Sequence, residues 1–303
     1  MPHLMRTATW MPQQEFPLSV RRIEEHRPTS VHQHEFTELV LILSGKGVHV
    51  VGKEKYHVGE GDVFIINGDL GHAYEDTQKL HLINILFELD RLHIHLDDIR
   101  TLPGYHVLFE LEPRHRKEHQ FKSHLHLPME DMSRIAQMAA RMEKELEDEK
   151  PGYRFISTGI LIDIIGFLCR ACSRARTSNT RPLLRIGDVI AHLEKNYREP
   201  VSVEELARIS HLSERSLLRE FQKVVGHSPI DYLIRLRVRN AARHIQAGAD
   251  NITNVAFENG FSDSNYFSRQ FHKIMGISPT AFRKMPTRKQ NRLLQAIPVH
   301  AHS

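Results

Sequence analysis

The sequence predicts an α+β chain of two domains, in which an amino-terminal β-barrel with appended helices precedes an all-α domain. The chain has 303 residues, more than one hydrophobic core usually holds. The first ~110 residues contain short segments rich in Val, Ile and Phe, such as 39–43 and 47–51. Turns such as Ser44-Gly45 separate them, a pattern typical of barrels and sandwiches. From Leu183 onward, apolar residues recur at helical spacing.

The composition indicates a soluble protein of a reducing compartment. Hydrophobic residues make up 40% of the chain and charged residues 26%, which is ordinary for a globular protein. No apolar run reaches the ~18 residues of a membrane span, and the first residues lack the apolar core of a signal peptide. The only cysteines are Cys169 and Cys172, which argues against a disulfide framework. We therefore expect a cytoplasmic protein with no membrane partner.

Charge is distributed unevenly between the two halves of the chain. Residues 181–303 contain 19 Lys and Arg against 11 Asp and Glu, a net charge of +8, whereas residues 1–180 carry a net charge of −4. A basic domain predicts a polyanionic partner, although charge alone does not identify that partner.

Two helices are predicted between the barrel and the second domain. The first covers 129–150 and ends at Pro151-Gly152. The second, about 153–176, is apolar on several sides, so it is either central in its domain or the seam of a homodimer, and we favour the seam. The predicted division is a barrel over 1–127, a helical dimerisation segment over 128–176, a linker over 177–182, a helical domain over 183–285 and a flexible tail over 286–303.

An internal repeat is the strongest pattern in the sequence. The segment FQKVVGHSP, which begins at Phe221, recurs as FHKIMGISP from Phe271, an offset of 50 residues. The segments that precede them, from Val203 and Ile252, repeat at an offset of 49. Each copy is typical of two helices joined by a tight turn, the helix-turn-helix arrangement whose second helix fits the major groove of DNA.

Capping residues delimit the helices of each copy. Ser202 is expected to cap the first helix, and Ser213 and Ser262 the second helix of each copy, because a serine oxygen accepts free amide hydrogens. Gly226 and Gly276 are expected to end the second helices, each followed by a Ser-Pro start. An ordinary helical bundle is the alternative, but two copies in a basic domain favour DNA binding.

From about Leu183 to Met285 the chain resembles the DNA-binding domain of the AraC/XylS transcription regulators. The resemblance is carried by LARISHLSERSLLREFQKVVGHSPIDYLIRLRVRNAARHI and by VAFENGFSDSNYFSRQFHKIMGISPTAFRK. It implies two helix-turn-helix units joined by one long helix, about 229–245, so that both recognition helices enter successive major-groove turns of double-stranded DNA.

Candidate DNA contacts lie on the expected exposed faces of the two recognition helices. Arg215 and Arg219 are four residues apart, hence on one face, and arginine bonds guanine O6 and N7. A solvated surface arginine is the alternative for Arg215. Asparagine suits adenine, and serine suits phosphate or either base. The full set is Glu214, Arg215, Ser216, Arg219, Asp263, Ser264, Asn265, Ser268 and Arg269.

The amino-terminal domain contains a set of potential metal ligands. The spacing His-x-His-x3-Glu-x6-Gly from His32 resembles the first motif of the cupin barrels, and Gly61-x5-Asn67-x4-His72 resembles the second. The flanking pattern differs, since Asn67 and Asp69 stand where proline and glycine are usual. His32, His34, Glu38 and His72 offer three imidazoles and a carboxylate, a set that suits Fe, Mn, Ni or Zn. Alternatively, these residues bond one another and a polar ligand without metal.

The stretch from about Pro28 to Phe87 also resembles the sugar-sensing domains of the rhamnose-responsive activators of the same regulator family. This resemblance implies a pocket for a hydroxyl-rich effector, which needs convergent donors and acceptors in a concave site. No cofactor is required, and a divalent metal is an optional occupant. The expected effector-pocket residues are His26, His32, His34, Glu38, His72 and Tyr74.

Three functions are consistent with these patterns. The first is a dimeric transcription regulator, an activator that responds to a small sugar or similar effector and works beside RNA polymerase. The second is a metal-dependent cupin enzyme fused to a DNA-binding module. The third is a DNA-binding protein whose barrel only dimerises. We favour the first and predict no catalytic residues.

Overall fold

The computed structural model describes residues 3–11, 15–68, 71–92, 94–111, 113, 125–175, 181–249 and 251–295. The chain divides into two compact units, Met1–Leu184 and Arg185–Ser303. The first unit combines a β-sheet with helices and the second is helical. The predicted α+β class, with a sheet-rich amino-terminal domain and an all-α carboxyl-terminal domain, is therefore confirmed.

Eight strands form one sheet in the first unit. The short helix α1 (Thr7–Trp10) lies between the first two strands along the chain. The strands are β1 (His3–Met5), β2 (Leu18–Ile23), β3 (His32–His34), β4 (Thr37–Val51), β5 (Glu54–Gly59), β6 (Asp62–Ile66), β7 (His72–Phe87) and β8 (Leu125–His126).

The two long strands β4 and β7 organise the sheet. They pair antiparallel along most of their length, while β4 also pairs with β6 at one end and with β5 at the other. Strand β7 pairs in addition with β2 and β3. One apolar cluster unites side chains of β4, β5, β6 and β7, among them Val40, Tyr56, Phe64 and Leu82. The two halves of the sheet therefore enclose a common core.

A bulge explains why one strand was predicted as two. The sequence pattern indicates strands at 39–43 and 47–51 with a turn between them, whereas β4 is continuous. Gly45 has a φ of +80°, and a Cβ at this position would lie 2.0 Å from the carbonyl oxygen of Lys79 on β7. Glycine thus permits a β-bulge inside the strand, and the predicted turn at Ser44-Gly45 is wrong.

Helices complete the first unit. Helix α2 (Pro103–Tyr105) continues into a π-helical stretch, His106–Leu111, and α3 (Met129–Asp148) and α4 (Tyr153–Arg174) follow. The helices predicted over 128–176 are therefore present. Among the described residues, α4 alone is long and apolar enough to cross a membrane, and half of that apolar stretch is buried in the domain.

The buried side of α4 belongs to the core of the first unit. Leu161, Ile164 and Cys169 have no exposed surface, and burial raises the pKa of the Cys169 thiol. Gly104 of α2 approaches the Cys169 backbone so closely that a Cβ at Gly104 would lie 1.9 Å from the carbonyl oxygen. Helix α4 is thus central in its domain on one side, the first of the two predicted alternatives.

The second unit consists of helices. Two of them, α7 and α10, are the second helices of the repeated copies, and α8 connects the copies. The helices are α5 (Arg181–Asn196), α6 (Val203–Ser210), α7 (Glu214–Val225), α8 (Pro229–Gln246), α9 (Ile252–Glu258), α10 (Ser264–Met275), α11 (Pro279–Arg283) and α12 (Thr287–Gln295).

Two predicted boundaries of this unit differ from the structure. Arg181 and Pro182, expected in the linker, begin α5, because proline is tolerated in the first turn of a helix. Residues 176–180 of the linker region lie outside the described residues. The prediction of a flexible tail over 286–303 is wrong for the residues that form α12. The buried Gln290 amide donates to the Phe282 carbonyl oxygen at 2.9 Å and holds this helix in place, and residues 296–303 lie outside the described residues.

Most of the predicted caps are present. Ser202 and Ser213 cap α6 and α7 through their side-chain oxygens. Gly226 and Gly276 end α7 and α10 in the left-handed region, with φ values of +84° and +74°. That conformation is the one that glycine adopts without steric cost.

The predicted cap of α10 is wrong. Asp263, and not Ser262, caps this helix, and its carboxylate accepts the amide hydrogens of Asn265 and Tyr266 at 2.6 and 3.0 Å. Aspartate accepts these bonds with a charged oxygen, which also suits the positive end of the helix dipole. The extra residue of the second copy is therefore in the turn, ahead of the cap.

Candidate ligand pocket and DNA-reading helices

A cavity of about 120 Å³ lies within the first unit, and all six predicted pocket residues line it. The pairing of β3 with β7 places His32 opposite His72, and strand alternation puts His32 and His34 on the same face. The remaining walls are partly apolar. The lining consists of Met5, Trp10, Arg21, Ile23, His26, Thr29, His32, His34, Phe36, Glu38, His72, Tyr74, Asn84 and Leu86.

Glu38 is the charged centre of this pocket. Its Oε2 lies 3.1 Å from Nε2 of His34 and 3.5 Å from Nε2 of His72. Burial opposes ionisation, but hydrogen bonds and charge from the two histidines outweigh it and hold the pKa of the Glu38 carboxyl well below its usual range. The pocket therefore contains a buried carboxylate.

Both ring nitrogens of His34 face acceptor oxygens. Nδ1 lies 2.7 Å from the Phe36 carbonyl oxygen, and Nε2 faces Glu38. A ring that donates to both must carry two protons, whereas the neutral ring that donates to Phe36 presents a lone pair to the carboxylate. An additional proton or a bound cation satisfies this arrangement.

His26 and His32 complete the histidine wall. Burial, which disfavours the charged ring, lowers the pKa of both side chains. The His26 ring lies 4.5 Å from the Tyr74 ring and the His32 ring 4.2 Å from the His72 ring, measured between centroids. Above the ordinary imidazole pKa these rings are neutral, and each then offers one donor and one acceptor.

Three of the four predicted metal ligands have donor atoms close enough to share an ion. The donor atoms of His34, Glu38 and His72 all lie within 4.8 Å of one another. His32 lies outside this group, and its Nδ1 is 3.0 Å from the Ser30 carbonyl oxygen. Two imidazoles and a carboxylate fit a divalent transition metal, and the bond from His34 to Phe36 is the kind that orients a metal-ligating ring.

Sequence reasoning missed several lining residues. Asn84 lies on β7 opposite Arg21 of β2, and hydrogen bonds with the Tyr74 backbone hold Thr29 beside β7. Trp10 ends the short helix α1, which follows β1 along the chain. The local sequence pattern carries no ligand signal at Trp10, Thr29 or Asn84, because contacts between distant segments bring them to the cavity.

Helices α7 and α10 present the predicted DNA contacts in two groups. Leu217, Phe221, Phe267 and Phe271 are fully buried, so these four residues define the inward faces. On the other faces, Glu214, Arg215, Arg219, Asn265 and Arg269 are exposed, while Ser216, Ser264 and Ser268 are half-buried.

Two of the predicted contacts have structural partners that occupy their polar groups. The Ser213 hydroxyl donates to Ser216 Oγ at 2.9 Å. Asp263 caps α10, and the amides of Tyr266 and Asn265 lower the pKa of its carboxyl. Arg219 remains exposed, although its guanidinium reaches Glu220 Oε1 at 3.1 Å.

Sequence reasoning also missed Leu218. Its side chain is 39% exposed on α7, three residues after Arg215 and next to Arg219. The signal was available, because Leu217 and Phe221 already supply the buried face, and a further leucine beside two arginines then has no place in the core.

The connecting helix α8 is held by arginines that point into the protein. Arg239 pairs with Glu194 of α5 at 3.1 Å, and both side chains are buried. Arg237 donates to the carbonyl oxygens of Tyr197 and Glu199 at 2.6 and 2.8 Å. Arg235 binds Asp231 one turn earlier. These three residues therefore stabilise the unit internally.

A ligand pocket on one unit and a repeated helix-turn-helix on the other define a DNA-binding regulator that carries its own sensor domain. The family models agree with this class. A model described as "AraC-like ligand binding domain" matches residues 17–164, and one described as "Helix-turn-helix domain" matches residues 206–285.

Curated relatives extend over nearly the whole chain. The "HTH-type transcriptional activator RhaS" of Klebsiella pneumoniae (strain 342) is 30% identical over 270 residues, which cover 88% of this chain and 93% of the relative. The "HTH-type transcriptional activator RhaR" of Pectobacterium carotovorum subsp. carotovorum (strain PC1) is 29% identical over 274 residues, with 88% and 91% covered.

A solved structure of the DNA-binding domain of AdpA in complex with a target DNA is 31% identical. The match covers 33% of this chain and 89% of the AdpA chain, with a TM-score of 0.31. On the sequence matches, the chain belongs to the AraC family of transcription regulators. The protein is accordingly a regulator of transcription.

Proposed function

We propose that this protein is a cytoplasmic transcription activator that binds its operator as a homodimer, beside RNA polymerase, under the control of a small neutral polyol such as a sugar. The observation that carries the proposal is the pocket around Glu38, where four imidazoles, a phenol and one amide line a cavity that contains a buried carboxylate. The relatives RhaS and RhaR are transcriptional activators.

The chemistry of the pocket favours a neutral, hydroxyl-rich ligand. A buried carboxylate accepts hydrogen bonds from hydroxyl groups and repels anions. Arg21, the cation of the lining, donates to the Trp10 carbonyl oxygen at 3.0 Å. The neutral rings of His26 and His32 add donors and acceptors at fixed positions. Trp10 supplies an aromatic wall against which the apolar face of a sugar ring can pack.

The homodimer is proposed to form through the outer side of α4. Phe155 is 85% and Ile162 47% exposed on this helix. Gly159 and Gly166 lie on the same stripe, and a Cβ at either glycine would meet nothing within 4 Å. An apolar stripe with small residues allows another helix to approach closely.

A sugar screen on the full-length protein tests the effector proposal. A ligand that binds only the folded protein at 100 times its Kd stabilises it by about 2.7 kcal/mol, so one member of the panel should raise the Tm. The same sugar should change the fluorescence of Trp10, which reports from the pocket because the chain has one tryptophan.

Two variants provide matched controls. Glu38→Gln should abolish the sugar-dependent shift in Tm and leave DNA binding intact, whereas Glu24→Gln, at an exposed glutamate, should behave like the wild type. If no sugar changes either the Tm or the Trp10 signal, the first unit does not bind the proposed ligand. A purely dimerising role for the barrel would then be the better account.

A divalent transition metal is a second candidate ligand, supported by the convergence of His34, Glu38 and His72. When bound, the ion would supply a positive charge at the oxygen of Glu38. Elemental analysis of the purified protein, and thermal shifts with Zn²⁺, Mn²⁺ and Ni²⁺, test this candidate. A metal-free protein whose Tm does not respond to any of the three ions excludes the metal and leaves the sugar proposal untouched.

A further inference from the structure

The last part of the second unit is unusually one-sided in charge. Residues 264–303 contain seven Lys and Arg and no Asp or Glu. The run begins in the recognition helix α10 and continues through α11 into α12. The family model ends at residue 285, so the helix-turn-helix match does not account for α12.

Helix α12 is fixed to the DNA-binding unit. Gln290 is 4% exposed, and its amide donates to the Phe282 carbonyl oxygen at 2.9 Å. The Gln246 amide of α8 donates to Asn291 Oδ1 at 2.7 Å. A polar side chain that is buried and bonded to the neighbouring helix indicates one preferred docking of α12.

The basic residues of α12 point away from this contact. Arg288, Lys289 and Arg292 are exposed, whereas Gln290, Leu293 and Leu294 are buried or half-buried. Arg288 and Arg292 are four residues apart and share one face of the helix. None of the ion pairs among the described residues involves these three cations.

We propose that α12 is a phosphate-binding surface that extends the DNA contact of the second helix-turn-helix unit. The proposal rests on DNA binding by this unit. Three observations favour the DNA backbone as the partner: three cations with no carboxylate partner among the described residues, hydrogen bonds that attach the helix to α8 and α11, and a basic run that continues along the sequence from α10. Contacts to phosphate add affinity and salt dependence without sequence preference.

The test compares the full-length protein with a triple variant, Arg288→Gln, Lys289→Gln and Arg292→Gln. The probes are a duplex selected from a random pool by the wild-type protein and a scrambled duplex of equal length. Each lost phosphate contact reduces the slope of log K against log salt by about 0.9, so the slope should fall by about 2.7. The affinity ratio between 50 and 200 mM salt should then shrink by about 40-fold.

A matched control removes the same charge from the other unit through Lys46→Gln, Lys53→Gln and Lys79→Gln, all at exposed lysines of the sheet domain. Its slope should equal that of the wild type. A second variant, Arg288→Lys with Arg292→Lys, keeps the charge and should keep the slope. The triple variant should lose affinity for both duplexes by the same factor.

Several results would overturn the proposal. An unchanged salt slope in the triple variant, with an unchanged Tm, would show that α12 does not contact phosphate and leave the basic face to a protein partner. A loss confined to the selected duplex would show that α12 reads bases. If the triple variant has a lower Tm than the wild type, the variant with Arg288→Lys and Arg292→Lys provides the test. A reduced salt slope in that variant, which keeps both charges, would contradict phosphate binding by α12.

Discussion

The two helix-turn-helix units share one layout but present different chemistry. At equivalent positions, 50 residues apart, Arg215 and Leu218 of α7 correspond to Asn265 and Ser268 of α10. The arginine at 219 and 269 is common to both. Guanine and the thymine methyl group suit the first set, and adenine and phosphate suit the second. The shared arginine can therefore contact guanine in both units, and the unshared residues are expected to set the difference between the sequences that the two units read.

The largest expected effect concerns the packing of α8 against α5 in the second compact unit. Arg239 and Glu194 form a buried ion pair, and the Tyr232 hydroxyl donates to the same carboxylate at 3.1 Å. Arg239→Met should lower the free energy of unfolding by about 3–5 kcal/mol, because it leaves a buried charge unpaired. Urea unfolding of the full chain measures this change. The double variant with Glu194→Leu should recover most of the loss, and a double variant no more stable than the single one would contradict the explanation.

The shared arginines give the next largest effect. Arg219→Ala and Arg269→Ala should each weaken binding to the selected duplex by about 1–3 kcal/mol, as expected for a bidentate contact to guanine. Binding titrations at fixed salt, with single-base variants of the duplex, would show at which base pair each arginine loses discrimination. Unchanged binding by both variants would argue against the assignment of α7 and α10 as the recognition helices.

Exchange of the unshared residues sharpens the comparison further. Leu218→Ser should cost about 1 kcal/mol of specific binding, roughly the value of burying one methyl group, and only on duplexes with a thymine at the contacted position. The reciprocal Ser268→Leu is the matched control, since it adds an apolar side chain to α10, the recognition helix of the second helix-turn-helix unit. Equal loss on thymine-containing and uracil-containing duplexes would contradict a methyl contact.

The caps should produce the smallest effect and the only one that depends on pH. The amides of Tyr266 and Asn265 lower the pKa of Asp263 below its ordinary 3.8. Its stabilisation of α10 is therefore complete above about pH 4 and is lost as the pH falls through the lower folded value. The Ser213 cap of α7 does not titrate. Amide hydrogen exchange in acid should show α10 fraying before α7, and Asp263→Ser should remove the difference.

Patterns with local causes were predictable from the sequence. The caps Ser202 and Ser213, the glycines that end α7 and α10, and the Ser-Pro start of α8 follow from short-range chemistry. The connecting helix, which the family resemblance implies over about 229–245, covers Pro229–Gln246. The cap of α10 was misplaced by one residue because Ser262 and Asp263 are both good capping residues. The choice of Asp263 as the cap depends on the helical register that buries Phe267 and Phe271.

Features that depend on long-range pairing were less predictable. The spacing of His32, His34, Glu38 and His72 identified four of the fourteen lining residues, and strand alternation places His32 and His34 on one face. Other lining residues depend on contacts between distant segments: Asn84 on the pairing of β2 with β7, and Thr29 on its hydrogen bonds with the Tyr74 backbone. The helix over 287–295 was missed because its stability comes from the contacts of Gln290 and Asn291 with other helices, and its sequence is largely polar.

The single helix α8 has a consequence for the operator. It runs without a break from Pro229 to Gln246, and Arg237 and Arg239 bond it to α5 and to the residues that follow α5. Inserting one base pair between the two contact points would rotate the second groove by about 35° around the DNA axis. A rod that neither bends nor twists cannot follow that rotation. Spacing is therefore part of the recognised sequence, even for base pairs that neither recognition helix contacts.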